Sequence, residues 1–136
     1  MRRILGLLSI AIVLSCCSRP AISDWFIPSE EAVGSVYDFS FQMADSLSSY
    51  DFSFYTRVDG VWERSIRLDA VWYSPDGESF FETVYLRPGN RKEGVQPYRI
   101  GVEPSVPGDW RLTVSVPDAP EGFLGLGLIC KENGAR

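Results

Sequence analysis

Three sets of residues in this chain could carry chemistry: a cysteine pair behind an apolar run, acidic side chains on neighbouring strands, and a scatter of tryptophan and tyrosine rings. The cysteines have the clearest context. Arg2-Arg3 precedes an apolar run from Ile4 to Leu14 that leads into Ser15-Cys16-Cys17. The run is about eleven residues, well short of the roughly 20 that cross a bilayer as a helix, and suits the core of a signal peptide. Val13-Leu14-Ser15 ahead of Cys16 supplies the small and aliphatic side chains expected before a cut at a cysteine whose thiol has been acylated. Cys16 is therefore the expected lipid acceptor. Cys17 is the weaker candidate, because the residue next to its cut would be Cys16 rather than Gly, Ala or Ser. Several acyl chains on one cysteine exceed the single-chain limit at which membrane binding is marginal.

With Cys16 acylated, Cys17 and Cys130 remain, and a compartment beyond the inner membrane permits disulfides. A Cys17–Cys130 bridge and a buried free thiol in the apolar run from Phe123 to Ile129 are both open. The chain has no histidine, which excludes Ser-His-Asp and Cys-His catalysis and histidine as a zinc ligand. Two cysteines alone make no thiolate metal site, and no phosphate-cradling glycine motif occurs. Two carboxylates facing a groove could hydrolyse glycosides, and Asp69 and Glu82 fall on neighbouring expected strands, although outward strand carboxylates are ordinarily solvated. Asp76-Gly77-Glu78 lacks the alternating acids of a calcium loop and reads as a β-turn. Among the rings, Trp72 and Trp110 fall in register with core positions. Trp62, Tyr73 and Tyr85 are left as candidate binding residues, by stacking on sugar rings or by meeting a protein partner.

The elements that must position these groups are strands. Tyr37, Phe39, Phe41 and Met43 alternate with polar residues, as do Tyr50, Phe52 and Phe54, and the polar stretch between them suggests a hairpin. Ile66, Leu68, Ala70 and Trp72 face one way, Ser74-Pro75-Asp76-Gly77 turns the chain, and Phe80 to Leu86 returns. After the polar loop from Arg87 to Gly94, Tyr98, Ile100 and Val102 alternate with Arg99 and Gly101. Trp110, Leu112, Val114 and Val116 form the next strand. The last run, Phe123 to Lys131, is apolar on both sides with Gly125 and Gly127 within it, which places it centrally with something packed over the glycines. About seven short strands with Gly/Pro turns imply an all-β fold, a single antiparallel β-sandwich, with a small closed barrel as the competitor.

Residues 1–15 then form the lipoprotein signal peptide, 16–31 a lipidated tether without sustained period, and 32–136 the sandwich. The formal charge is −5, or −7 once Arg2 and Arg3 leave with the signal. That balance argues against nucleic acid or an anionic lipid surface as a partner.

Taken together, the lipoprotein signal, the aromatic strand Val36-Tyr37-Asp38-Phe39-Ser40-Phe41, the stretch from Tyr50 to Arg57 and the Ser74-Pro75-Asp76-Gly77 turn resemble the GldH-type gliding-motility lipoprotein family. Pro107-Gly108-Asp109-Trp110-Arg111-Leu112 and the closing run from Pro120 to Lys131 extend the resemblance, as of a distant or shortened member. It implies a non-catalytic, cofactor-free accessory protein of gliding motility or the linked secretion machinery. Such a protein would be held to the outer membrane by its N-terminal lipid and would work by binding envelope proteins. Cys17-Ser18-Arg19-Pro20 lacks a cluster of acids, which favours the periplasmic face. A glycan-binding envelope lipoprotein is the second expectation, and a small hydrolase using Asp69 and Glu82 the third.

Overall fold

The structure, a computed structural model, describes residues 22–60, 63–87 and 93–135. Eight strands run in chain order: β1 (Ile22–Pro28), β2 (Val36–Met43), β3 (Ser48–Val58), β4 (Ile66–Tyr73), β5 (Ser79–Leu86), β6 (Glu93–Val102), β7 (Gly108–Ser115) and β8 (Phe123–Ala135). They form two four-stranded sheets, ordered β1-β8-β3-β6 and β2-β7-β4-β5, and every pairing is antiparallel. This is the expected antiparallel sandwich. The one helical segment among the described residues is the short 3-10 turn Ser29–Glu31.

Alternation does the folding work. Tyr37, Phe39, Phe41 and Met43 of β2 are buried while the residues between them are exposed, and β4 and β7 repeat the pattern. Each sheet thus has an apolar inner face, and stacking the two removes both from water. Rings join the layers: Phe41 lies 5.1 Å from Phe52, and Phe52 lies 5.0 Å from Trp72 at nearly a right angle. Trp110 packs edge-on to Trp72, so both tryptophans occupy the core as their register demands.

Three expectations change. First, β2 and β3 are not a hairpin: β2 pairs with β7, whereas β3 lies between β8 and β6 in the other sheet. Residues 44–47 carry the chain across, stabilised by Asp45, whose carboxylate accepts from the Leu47 N–H at 2.8 Å and from the Ser48 hydroxyl. The crossing is what lets the rings of β2 and β3 meet across the core. Second, Ile22–Pro28, inside the stretch read as tether, is an eighth strand on the edge of β8. Third, Ile100 does not share the face of Tyr98 and Val102; it is 66% exposed. The pairing of β6 with β3 slips twice, between Tyr50 and Phe52 and between Phe52 and Ser53. Gly101, at φ 69°, and the Asp51 carboxylate accepting from its N–H at 2.8 Å hold the first irregularity.

The glycines of β8 explain why β1 docks there. A Cβ on Gly125 would lie 2.5 Å from the Ile27 carbonyl and 2.5 Å from the Phe26 ring, and φ at this residue is 156°. At Gly127 the Trp25 carbonyl would be 2.9 Å away. The bare backbone lets the Phe26 ring sit 5.5 Å from Tyr55, edge to face, with the Arg57 guanidinium 5.1 Å above Phe26. Gly125→Val should therefore cost about 2–4 kcal/mol through overpacking and backbone strain. Denaturant unfolding checks the loss, and limited proteolysis should show new cleavage confined to β1.

Candidate binding face

The register builds one outer face strand by strand. On β2 it presents Asp38, Ser40 and Gln42; opposite them on β7 lie Thr113, Arg111 and Asp109. Arg111 in turn faces Tyr73 of β4, and Tyr73 faces Ser79 of β5. Continuing along β5 on the same side come Phe81, Thr83 and Tyr85. Partners directly opposite in an antiparallel sheet share a face, so these side chains form one surface, polar over β2 and β7, mixed over β4 where Arg67, Asp69 and Val71 join Tyr73, and aromatic at Phe81 and Tyr85 of β5.

An open groove of about 520 Å³ crosses the polar end, lined by Ser40, Gln42, Tyr73, Ser74, Asp109 and Arg111, with Phe41 and Trp110 beneath. Its organising contact is cationic: the Arg111 guanidinium sits 4.4 Å over the Tyr73 ring. Below, the Trp110 indole N–H donates to the Val106 carbonyl at 2.9 Å, which fixes the floor. Beside the groove the Thr113 hydroxyl donates to Asp38 at 2.6 Å. Tyr and Arg on a rigid sheet suit protein recognition, since both are enriched among the residues that carry binding energy at interfaces.

The three candidate rings are not brought together. Trp62 lies outside the described residues. Tyr73 is half-buried, and one face of its ring is covered by Arg111. Tyr85 is 63% exposed on β5, six residues of strand away from the Ser79 that faces Tyr73. Arg111 was not singled out from the sequence, because its meeting with Tyr73 depends on β7 lying beside β4. Cys16 and Cys17 also lie outside the described residues, so lipidation and the Cys17–Cys130 bridge are not addressed by the fold. The Cys130 thiol itself is buried in the core, and burial pushes it up to about 12, far from the depressed values of reactive thiols.

The carboxylate pair fails on geometry. Asp69 is opposite Thr83 on the outer face, whereas Glu82 is opposite buried Ala70 and points inward. They lie on opposite sides of one sheet and cannot flank a common substrate bond. Each is engaged structurally. Asp69 accepts from Arg67 and from the Thr83 hydroxyl, both at 3.1 Å. Glu82 accepts from Tyr98 at 2.8 Å and pairs with Arg99 at 2.8 Å, while the Trp72 indole N–H donates to Tyr98 at 2.8 Å.

That inward cluster ties β5 to β6 and is made by the second slip of β6. Arg99 is opposite Phe52 and Pro97 is opposite Ser53, so Tyr98 is an extra residue whose hydroxyl is re-aimed at Glu82. Burial, then the hydrogen bond to the Glu82 carboxylate, raises the pKa of Tyr98 and keeps its phenol protonated. A cavity of about 300 Å³ opens beside it, lined by Met43, Trp72, Phe80, Glu82, Arg99 and Val102. Both charges in its wall are already paired with each other. Among the described residues no cluster of three or more acidic or cysteine side chains is placed to hold a metal, and no helix is long and apolar enough to cross a membrane.

No family model matches the chain, and none of the curated proteins does. Among solved structures, a chain from the structure of infectious bursal disease virus Gx strain is 16% identical with a TM-score of 0.44. The match covers 85% of this chain and 32% of that one, so this chain spans about a third of its length.

Proposed function

We propose that the chain is a lipid-anchored, non-catalytic binding protein of the bacterial envelope, tethered through Cys16 and acting through the outer face of the β2-β7-β4-β5 sheet. The observation that carries this reading is the Tyr73–Arg111 groove: a cation stacked on an aromatic ring, rimmed by Asp109, Gln42 and Ser40 on rigid strands. The signal-like start and the resemblance to GldH-type lipoproteins support placing the partner in the gliding machinery or its linked secretion system, on the periplasmic side of the outer membrane. Of the candidate rings within the described residues, exposed Tyr85 is the one that supports a glycan-binding role, since Arg111 already covers one face of Tyr73.

The test is a crosslinking pull-down of the full chain from its native envelope, read by mass spectrometry. Arg111→Glu should reduce recovery of envelope protein partners roughly tenfold or more, as loss of a central arginine does. Stability should change by about 1 kcal/mol at most, the worth of an exposed cation–π contact. Cys16→Ala should abolish recovery by releasing the domain from the membrane. Unchanged recovery with Arg111→Glu would sink the groove as the site, and capture of polysaccharide in place of protein would favour the glycan role.

A further inference from the structure

We propose that β5 is a pairing edge through which two copies of this chain join across a two-fold axis into one continuous eight-stranded sheet. The proposal rests on the edge of β5 and not on the Tyr73–Arg111 groove. The hydrogen-bond phase of the β4–β5 hairpin is set at its turn, where the Ser74 N–H donates to the Glu78 carbonyl at 2.9 Å. Ser74 and Glu78 are thus a hydrogen-bonded pair, and such pairs alternate along an antiparallel ladder. Phe80, Glu82, Val84 and Leu86 consequently bond to β4. The N–H and C=O groups of Ser79, Phe81, Thr83 and Tyr85 point away from it, along the open edge.

Such edges are normally guarded, and the other three here are, whereas β5 is capped past its end, where the Gln96 side chain takes the N–H and C=O of Arg87, and is open from Ser79 to Tyr85. The β6 edge carries Pro97 and two slips in register. β2 turns Asp38, Ser40 and Gln42 outward, and β1 is seven residues long and ends in Pro28. β5 keeps unbroken register with β4 over its eight residues and contains neither Pro nor Gly. Beside its free backbone stand Phe81, 67% exposed, and Tyr85, 63% exposed. Its single charge, Glu82, is turned inward and held by Arg99.

The pattern selects a second copy as the occupant. Self-pairing about a two-fold axis perpendicular to the sheet sets residues of the same face opposite each other. Centred on Thr83, it places Thr83 against the partner's Thr83 and Phe81 against the partner's Tyr85, on both sides of the axis. Thr–Thr and aromatic pairs are the favourable cross-strand contacts. Centring on Glu82 would oppose two carboxylates, and centring on Phe81 would run Tyr85 past the end of the partner strand to the partner's Gly77. Charge points the same way. The chain carries a net −5, yet the outward residues of β5 are all uncharged and the Asp69 carboxylate beside Thr83 is already paired with Arg67, so two copies can approach here with little repulsion.

The test uses the full chain in mild detergent, by native mass spectrometry and by crosslinking. A dimer is expected, and Thr83→Lys, which opposes two ammonium groups at the axis, should weaken it roughly tenfold or more with an unchanged near-UV circular dichroism spectrum. Thr83→Cys should form an intermolecular disulfide under mild oxidation, because a hydrogen-bonded antiparallel pair brings Cα atoms to about 5.5 Å. Asp38→Cys on β2 should not. A monomer, a dimer insensitive to Thr83→Lys, a Thr83→Cys chain that fails to crosslink, or an extended segment of another protein occupying the edge would each overturn the proposal.

Discussion

Phe52→Ala should lower the stability of the folded chain by about 3–5 kcal/mol, enough to consume much of the roughly 5–15 kcal/mol that holds a domain of this size. Phe52 is wholly removed from solvent and stands where the two layers meet. Its ring touches Phe41 of the opposite sheet and Trp72, which in turn meets Phe41, Trp110 and Tyr98. Truncation removes the transfer term for the ring and leaves a cavity that rigid strands on both sides cannot close. The floor of the neighbouring cavity would deepen, and Trp72, which donates to Tyr98 across the layers, would lose the contact that fixes its tilt. Equilibrium unfolding in urea measures the loss. Phe52→Leu, which retains most of the volume, should cost less than half as much. Equal costs for the two variants would mean that the core relaxes around the hole and that ring packing is not what joins the sheets.

The inner faces were legible in the sequence because burial on one side of a strand writes a period of two, as in Tyr37-Phe39-Phe41 and Ile66-Leu68-Ala70-Trp72. The bare glycines of β8 were legible for a different reason, since Gly125 and Gly127 break an apolar run in a way that only a close neighbour requires. Pairing partners were not legible. Alternation assigns a face and says nothing about which strand lies alongside, so β2 and β3, adjacent in sequence and equally aromatic, read as a hairpin although they occupy different sheets. β1 was hidden because an edge strand ending in proline shows no sustained alternation. The slip at Tyr98 was hidden because one extra residue leaves no compositional trace, yet it makes the Glu82 cluster. The same limit governs the site: Tyr73 was identified from its type and position, but Arg111 becomes its partner only through the pairing of β7 with β4. Asp69 and Glu82 were separated by parity, since a hairpin that sets Tyr73 against Ser79 must set Asp69 against Thr83 and send Glu82 to the other face.

Rising alkaline pH should destabilise this chain along two successive slopes, and the sign follows from which protonation state the fold prefers. Burial pushes the Cys130 thiol up to about 12, with Glu132 and Asp51 adding to it. Burial likewise raises Tyr37 and Tyr50, and Tyr98 further through its hydrogen bond to Glu82. All four are neutral in the native state. In the unfolded chain the thiol ionises near its ordinary value of about 8.5 and the phenols near 10. Their contribution is therefore complete below about pH 8.5 and is lost as pH rises toward the folded values, because the unfolded state then binds fewer protons. One group contributes a slope of about 1.4 kcal/mol per pH unit. Under reducing conditions the melting temperature should fall gently from about pH 9 and more steeply above 10, when the tyrosines join. Cys130→Ala should remove the gentle limb and keep the steep one; Tyr98→Phe should do the reverse, softening the steep limb alone. Thermal melts of the three forms between pH 8 and 11 separate these cases. A native chain with a flat profile to pH 11 would show that the thiol and phenols reach water, and that the interior between the two sheets is wetter than its packing of Phe52, Trp72 and Tyr98 implies.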